Sequence, residues 1–370
     1  MTSMELYEKI IGGKEIYSYP FHITKEEDDY YDCVRRICKA FKEDLDKLDE
    51  KSVFELNKCL DGLVEKIEKP LDLVNDFDVI REVVDKTIAY LLEGEPSEAF
   101  VLLERFLTDN NLHYTYLLPQ TYLSENMVYY RIRKCADSDG IVMKQKDLFH
   151  IPFQLRHKAA SMRYSIPGYP VFYVAGSLEL AYRETIKDDS DFMYVKVKGK
   201  KELKFVDVGI PLTDSPQTFE LFCLFIFFPF IAACAIPVKY PNDVYKPEYA
   251  FPQLLTQYVK KHSDFDGICY IPSKLDGRHE ARNLQSRDFA IIVRGGSKKT
   301  GYDKELASNY QMTRPLRFRE KDLAYQRRKT LIPYNLKDYG DPRLIANYQS
   351  KFAFLRDRDF NELFYDIDLN

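Results

Sequence analysis

The sequence of 370 residues lacks tryptophan and most of the patterns that identify a familiar class of protein. Its seven cysteines are scattered without a CxxC pair. We therefore expect neither a disulfide framework nor a zinc site, but reduced, buried thiols in a cytoplasmic protein. No basic segment followed by an apolar run opens the sequence, so we expect no signal peptide. The motifs GxSxG, HExxH and GxGxxG are also absent.

Long apolar runs are missing too, with one exception. The segment from Leu221 to Val238 carries no charged side chain and approaches the length of a membrane-spanning helix. Pro229 interrupts it near the middle, where proline removes a helical hydrogen bond. We therefore predict a buried helix or a pair of short core elements here, and no membrane partner.

The net charge of −4 is modest and argues against bulk nucleic-acid binding. It is unevenly distributed, because residues 1–100 contain 25 acidic and 14 basic side chains, whereas the remainder contains 33 acidic and 40 basic ones. This asymmetry indicates two units that attract each other, and a basic second unit suits an anionic small substrate. An ordinary solvated surface is the alternative explanation.

Apolar residues recur at three- and four-residue steps through the first third of the chain, which predicts amphipathic helices. The pattern is clearest at residues 27–45 and continues at 77–93 and 97–107. A further helix is expected to begin at Ser52 as its N-cap, with Glu55 completing a capping box.

The pattern changes after about residue 125, where short runs of β-forming residues alternate with amphipathic segments. Such an alternation predicts an α+β fold with a mixed sheet. Strands are predicted at residues 126–134, 170–176, 191–199, 204–210, 266–273 and 288–293, and helices at 177–186 and 252–262.

These patterns divide the chain into three parts. Residues 1–125 are predicted to form an all-α domain, and residues 126–320 an α+β domain. Residues 321–370 are highly charged and are predicted to form a peripheral helical extension exposed to solvent.

The α+β part contains a spaced set of polar residues. One arginine ends the first predicted strand, a second precedes a turn, a tyrosine lies on the next strand, and a glutamate follows eleven residues later. These residues are Arg131, Arg163, Tyr173 and Glu184, in the context IPFQLR, RYSIPGYP and ELAYRE. The segments PEYAFPQLL and DGICYIPS follow downstream.

Together these motifs resemble the RES-domain family over roughly half of the chain, and in particular a longer subfamily with a helical N-terminal region. The resemblance places the serine of the family pattern at Ser273 and makes Asn283 a further substrate-binding candidate. It implies a fold similar to that of ADP-ribosyltransferases for the catalytic domain at residues 126–320.

RES proteins are NAD⁺-degrading enzymes, and many are toxins of toxin–antitoxin pairs. The resemblance therefore implies an NAD⁺ phosphorylase or NAD⁺ glycohydrolase that needs no cofactor, because NAD⁺ is the substrate and inorganic phosphate or water the acceptor. It also implies a cognate antitoxin protein, and a homo-oligomer is left open. Two alternatives remain: transfer of ADP-ribose to a macromolecule, and an inactive regulator that binds NAD⁺ or ADP-ribose.

The chemistry of NAD⁺ cleavage requires residue types that the motif contains. Breaking the nicotinamide–ribose bond builds positive charge on the sugar, which a fixed carboxylate such as Glu184 would stabilise. Arginines hold a diphosphate by paired hydrogen bonds, a role we expect for Arg131 and Arg163. Tyr173 would position the nicotinamide ribose. Arg156 is a further substrate-binding candidate that would share a helical face with Arg163.

Each candidate also has an ordinary structural explanation. Glu184 could form a surface ion pair with neighbouring basic residues, Tyr173 could pack in the core, and Ser273 could cap a turn. We expect His150 to be a structural histidine and Gly168 to be a turn glycine.

Helical N-terminal regions of longer RES proteins are sometimes likened to HEPN ribonucleases. These carry an arginine and a histidine four to six residues apart in one helix. Arg105 and His113 are eight positions apart, and Asn110 and Asn111 intervene. We therefore expect no nuclease activity and no nucleic-acid partner. A regulatory, oligomerising or partner-binding role is predicted instead.

Overall fold

The computed structural model describes residues 3–12, 14–17, 21, 29–58, 71–108, 114–135, 143–185, 191–209, 217–272, 284–295, 297–318 and 363–369. The first part of the chain is helical and the second combines helices with strands. The helices of the first part are α1 (Ser3–Ile10), α2 (Tyr30–Leu45), α3 (Glu50–Lys58), α4 (Leu73–Leu92), α5 (Pro96–Thr108) and α6 (Tyr114–Leu117). Those of the second part are α7 (Leu178–Thr185), α8 (Thr218–Ile226), α9 (Phe228–Ala235), α10 (Ala250–Lys261) and α11 (Lys304–Ser308).

The described strands form one mixed sheet, which confirms the predicted α+β class. They are β1 (Gln120–Leu123), β2 (Val128–Lys134), β3 (Val171–Ala175), β4 (Phe192–Gly199), β5 (Leu203–Asp207), β6 (Gly267–Tyr270), β7 (Asp288–Ile292), β8 (Tyr310–Met312), β9 (Leu316–Phe318) and β10 (Tyr365–Asp366). Their order across the sheet is β1-β5-β6-β7-β3-β2-β4-β8-β10, with β9 also pairing with β4. Strands β5 and β6 run parallel, and the other described pairs are antiparallel.

Each strand and helix predicted within residues 126–320 has its counterpart in the structure, with ends that differ by a few residues. The hydroxyl of Ser177 caps α7, because it accepts a hydrogen bond from the Leu180 amide at 3.2 Å. The first strand, β1, precedes residue 126. The helical character predicted for the C-terminal extension does not hold for Tyr365–Asp366, which pairs with β8.

The predicted N-cap at Ser52 is wrong. Helix α3 begins at Glu50, and the carboxylate of Asp49 accepts hydrogen bonds from the Ser52 amide at 2.9 Å and from its hydroxyl at 2.8 Å. Aspartate is as good a cap as serine, and here it lies three residues earlier in the chain. Ser52 is therefore a residue of the first helical turn.

The apolar run from Leu221 to Val238 forms two short core helices, α8 and α9, as predicted. Pro229 lies in the first turn of α9, where its missing N–H would have no helical partner anyway. Within the described part of the chain, no single helix has both the length and the apolarity to cross a membrane; only the α8–α9 pair, bent by 61°, passes that test jointly.

The helical part and the sheet share a core centred on α8 and α9. Phe41 of α2 stacks on Phe228 of α9 with ring centroids 3.8 Å apart, and both side chains are fully buried. Helix α10 packs against α4 and α5 on one side and against β6 on the other. The sheet therefore has one face covered by these helices, and the opposite face packs against a second, smaller core.

Strand β3 shows this division most clearly. Val171, Tyr173 and Ala175 face the helical core, whereas Phe172 and Val174 face the smaller one, which is the alternation that the sequence predicts. The face that carries Tyr173 is also the face on which the candidate site lies.

Candidate active site

Three of the candidate residues lie within electrostatic reach of common neighbours, Tyr249 and Tyr270, on the helical face of the sheet. Tyr173 lies on β3, Glu184 lies in the last turn of α7, and Arg163 lies in the turn that precedes β3. Strand β3 leads into α7 through Gly176, where an added Cβ would lie only 1.9 Å from the Leu284 carbonyl oxygen. The chain must therefore have glycine here for the strand and helix to bring Tyr173 and Glu184 together.

Arg163 is fixed by the C-terminal end of α9. Its two terminal nitrogens donate to the carbonyl oxygens of Cys234 and Ile236 at 2.8 and 2.9 Å. Carbonyl groups at a helix C-terminus lack partners within the helix and carry partial negative charge, so a guanidinium is a favourable partner for them. The guanidinium carbon also lies 5.3 Å from the ring centre of Tyr249.

Tyr249 connects Arg163 with Glu184. Burial raises the pKa of its hydroxyl, the positive charge of Arg163 lowers it, and the carboxylates of Glu184 and Glu248 raise it. One hydroxyl thus lies within electrostatic reach of both candidates. Tyr249 belongs to the PEY segment of the sequence, where no local pattern marks it as a site residue, because its proximity to both charges is a tertiary feature.

Two further tyrosines border the site. The Tyr173 hydroxyl accepts a hydrogen bond from the Tyr164 amide at 3.2 Å, and the ring centroids of Tyr164 and Tyr270 are 4.6 Å apart. Burial raises the pKa of Tyr270, and the charges of Asp288 and Glu184 add to the increase. The Glu184 carboxylate therefore lies among aromatic side chains that present hydroxyl groups.

Among the described contacts, Arg131 reaches this cluster through the backbone of β3. Its guanidinium donates to the Tyr173 carbonyl oxygen, and its carbon lies 5.3 Å from the ring centre of Phe172, on the opposite face of the sheet. Burial lowers the pKa of Arg131 to about 10, and the nearby charge of Arg133 adds to the decrease. The side chain lies where β2 and β3 separate, beyond the register pair of Tyr130 with Ala175.

The remaining candidates lie elsewhere. The guanidinium of Arg156 is 4.9 Å from the ring centre of Phe153 and donates to the Gly168 and Lys298 carbonyls at 3.4 Å each. Its 3₁₀ helix ends at Lys158, so Arg156 does not share a helical face with Arg163, and that expectation is wrong. Ser273 and Asn283 lie outside the described residues. Gly168 takes a φ of 80°, as a turn glycine does.

His150 is a buried structural histidine, as expected. One ring nitrogen lies 2.8 Å from the Ile151 carbonyl oxygen, and the other accepts a hydrogen bond from the Asp303 amide at 2.9 Å. Burial lowers its pKa from the ordinary 6.5 to about 4, and the positive charges of Arg131 and Arg156 contribute to the decrease. The imidazole is therefore neutral in the folded protein near pH 7.

We expect this histidine to make the protein less stable in acid. Between pH 6.5 and about 4 the unfolded chain takes up a proton at His150 that the folded chain does not. The free energy of unfolding should therefore fall as the pH decreases through that window. At about 1.4 kcal/mol per pH unit, His150 should account for a loss of about 3 kcal/mol. Urea unfolding at several pH values measures this slope.

Replacing His150 with glutamine should flatten the dependence on pH, whereas the same change at the exposed His157 should leave it as in the wild type. Equal slopes for the two variants would show that another group causes the acid sensitivity.

These observations define an α+β domain in which an arginine, a tyrosine and a glutamate meet beside further tyrosines on the helical face of a mixed sheet. Residues 129–285 of the chain match the model of the RES domain family. The matched range contains every candidate site residue, including Ser273 and Asn283. It begins after the helices α1 to α6, and the resemblance inferred from the motifs is confirmed.

One relative extends the match into the helical part. The chain is 26% identical over 310 residues to the Bacillus subtilis (strain 168) protein named "Putative toxin YopC", in an alignment that covers 78% of this chain. The alignment covers 66% of that relative, which is slightly less than two thirds of its length. No solved structure matches the chain, so the likeness to ADP-ribosyltransferases stays a prediction of the sequence.

Proposed function

We propose that this protein degrades NAD⁺ by cleaving the bond between nicotinamide and ribose. The observation that carries the proposal is the arrangement around Tyr249, whose ring centre lies 5.3 Å from the Arg163 guanidinium carbon and whose hydroxyl lies within electrostatic reach of the Glu184 carboxylate. A substrate that becomes cationic at one carbon and carries a diphosphate elsewhere needs these two charges in one site. The RES domain and the toxin named among its relatives support the same class of reaction.

The reaction balances without a redox partner. The C–N bond between ribose and nicotinamide breaks, and its electron pair leaves with nicotinamide, which becomes neutral. The ribose carbon, left electron-poor, then bonds to an oxygen of inorganic phosphate or of water. The products are nicotinamide, a released proton, and either phosphorylated ADP-ribose or free ADP-ribose.

Each candidate residue has its own role in the proposed reaction. Glu184 stabilises the positive charge that develops on the ribose, at a site where surrounding tyrosines limit access of water. Tyr173, held by the Tyr164 amide, positions the nicotinamide ribose. Arg163 binds the diphosphate, and phosphate oxygens that enter the gap between β2 and β3 would meet Arg131.

The experiment that tests this proposal is product analysis by mass spectrometry. Purified full-length protein is incubated with NAD⁺, with and without inorganic phosphate, and nicotinamide release is followed over time. We expect nicotinamide in both reactions and phosphorylated ADP-ribose wherever phosphate is the acceptor. NAD⁺ labelled in its adenosine part should leave no label on macromolecules.

Other outcomes identify the alternatives. Label that appears on a protein or nucleic acid would indicate ADP-ribosyltransferase activity. Tight binding of NAD⁺ without nicotinamide release would indicate a regulator. If the protein neither binds NAD⁺ nor releases nicotinamide, an NAD⁺-directed function is rejected altogether.

We further propose that the protein is a toxin that a separate antitoxin protein restrains, because unrestrained loss of NAD⁺ would harm the cell that makes it. The described helices α2 and α4 pack against α9.

A further inference from the structure

The C-terminal end of α9 is shared between the candidate site and the N-terminal helical part. The last carbonyl groups of a helix have no partner within the helix and must find one outside it. Those of Cys234 and Ile236 accept from Arg163, as described above. The carbonyl of Ala233 accepts at 2.8 Å from the hydroxyl of Tyr30, which is the first residue of α2.

Tyr30 is buried, with 4% of its surface exposed, so this hydrogen bond has no competition from bulk water. Burial raises the pKa of its hydroxyl, the charge of Glu248 adds to the increase and that of Arg163 opposes it. Two donors from distant parts of the sequence thus hold adjacent carbonyls of one short helix.

The remainder of α9 is also held by the helical part. Phe228, at its first turn, stacks on Phe41 of α2 and meets the edge of Tyr17 with ring centroids 5.5 Å apart. Helix α4 packs along both α8 and α9. The position of α9, and with it the position of the carbonyls that fix Arg163, is therefore set by residues that lie outside the matched RES region.

We infer that Tyr30 is a positioning residue for NAD⁺ binding: it fixes the C-terminal end of α9, and through it the Arg163 guanidinium. This inference rests on the proposed function, since it assigns Arg163 to the substrate diphosphate. It makes the helical part a component of the active-site scaffold.

The test is Tyr30→Phe in the full-length protein, which removes the hydroxyl and keeps the ring. The chain offers a matched control in Tyr17→Phe. The Tyr17 hydroxyl donates to the Asp44 carboxylate at 2.7 Å, within the helical part, while its ring touches the same Phe228. Both variants lose one hydrogen bond of ordinary strength, and only Tyr30 contacts the end of α9 that holds Arg163.

We expect Tyr30→Phe to raise the KM for NAD⁺ about fivefold, the size of effect that the loss of one hydrogen bond gives, with kcat changed less than twofold. Tyr17→Phe should leave KM as in the wild type. A second measurement introduces Tyr30→Phe into an Arg163→Lys background. If Tyr30 acts through Arg163, the two changes are not additive, and Tyr30→Phe should add less than twofold there.

Equal KM values for the two tyrosine variants, or a full fivefold effect of Tyr30→Phe in the Arg163→Lys background, would overturn the inference while leaving NAD⁺ cleavage intact. If the wild type neither binds NAD⁺ nor releases nicotinamide, the proposed function fails and the inference fails with it.

Discussion

Replacing Glu184 with glutamine is expected to reduce the kcat for nicotinamide release by about a thousandfold. The change keeps the shape of the side chain but removes the negative charge that would stabilise the cationic ribose. Loss of one preorganised stabilising group in a site shielded from water costs about a hundredfold to a thousandfold in rate. Because the interaction forms only as charge develops, the KM for NAD⁺ should change little. Steady-state kinetics on the purified full-length protein measure both constants.

The matched control is Glu179→Gln, in the first turn of the same helix. The Glu179 carboxylate forms an ion pair with Arg183 and is partly exposed. Such pairs contribute little to stability, so this variant should retain wild-type kinetics. Equal rates for the wild type and Glu184→Gln would remove the central residue from the mechanism, and the proposed reaction would then need another carboxylate.

Replacing Phe41 with alanine is expected to lower the free energy of unfolding by about 3–5 kcal/mol. Phe41 is fully buried and lies between Phe228 of α9, with centroids 3.8 Å apart, and Phe77 of α4, at 5.6 Å. Truncation would leave a cavity among rigid aromatic rings that have little freedom to close it. Urea unfolding followed by circular dichroism measures the loss.

The exposed Phe54 of α3, with 62% of its surface accessible, provides the control. Phe54→Ala should change the free energy of unfolding by less than about 0.5 kcal/mol. Because Phe41 packs directly on α9, we expect Phe41→Ala to shift a single transition. Two separate transitions, of which only one responds to the change, would show that the helical part and the sheet unfold independently.

Local structure could be read from the sequence wherever one face of an element is buried. The alternation along β3 placed Tyr173 on one face and Phe172 on the other, and the two cores of the structure follow that alternation. The break at Pro229 predicted either a buried helix or a pair of short core elements, and the structure has the second of these. The cap at Ser177 was predictable because a capping side chain acts over three residues.

Predictions failed where a choice between similar local signals decided the outcome. Ser52 and Asp49 can both cap a helix, and the helix begins at the earlier of the two. Arg156 and Arg163 are seven residues apart, yet the intervening chain turns at Met162–Ser165 instead of continuing as a helix. Spacing fixes a shared face only when the secondary structure is known.

The candidate site contains residues that the sequence indicates and residues that only the folded structure reveals. The motif of Arg163, Tyr173 and Glu184 could be recognised in the sequence because its spacing spans one turn, one strand and one helix. Tyr249, which lies beside Arg163, and Tyr30, which donates to the same helix end as Arg163, could not, since both come from distant segments of the chain and no pattern of nearby residues marks such contacts.

By itself the sequence determined the α+β class and the strands and helices of the second part of the chain, because these depend on periodicity within short segments, and the candidate site residues came from its resemblance to the RES family. Only the tertiary structure decided that Arg131 approaches the site through the backbone of β3 and that α2 shares the end of α9 with Arg163. The physical reason is that unpartnered carbonyl groups at a helix end accept whichever donors the folded chain brings to them.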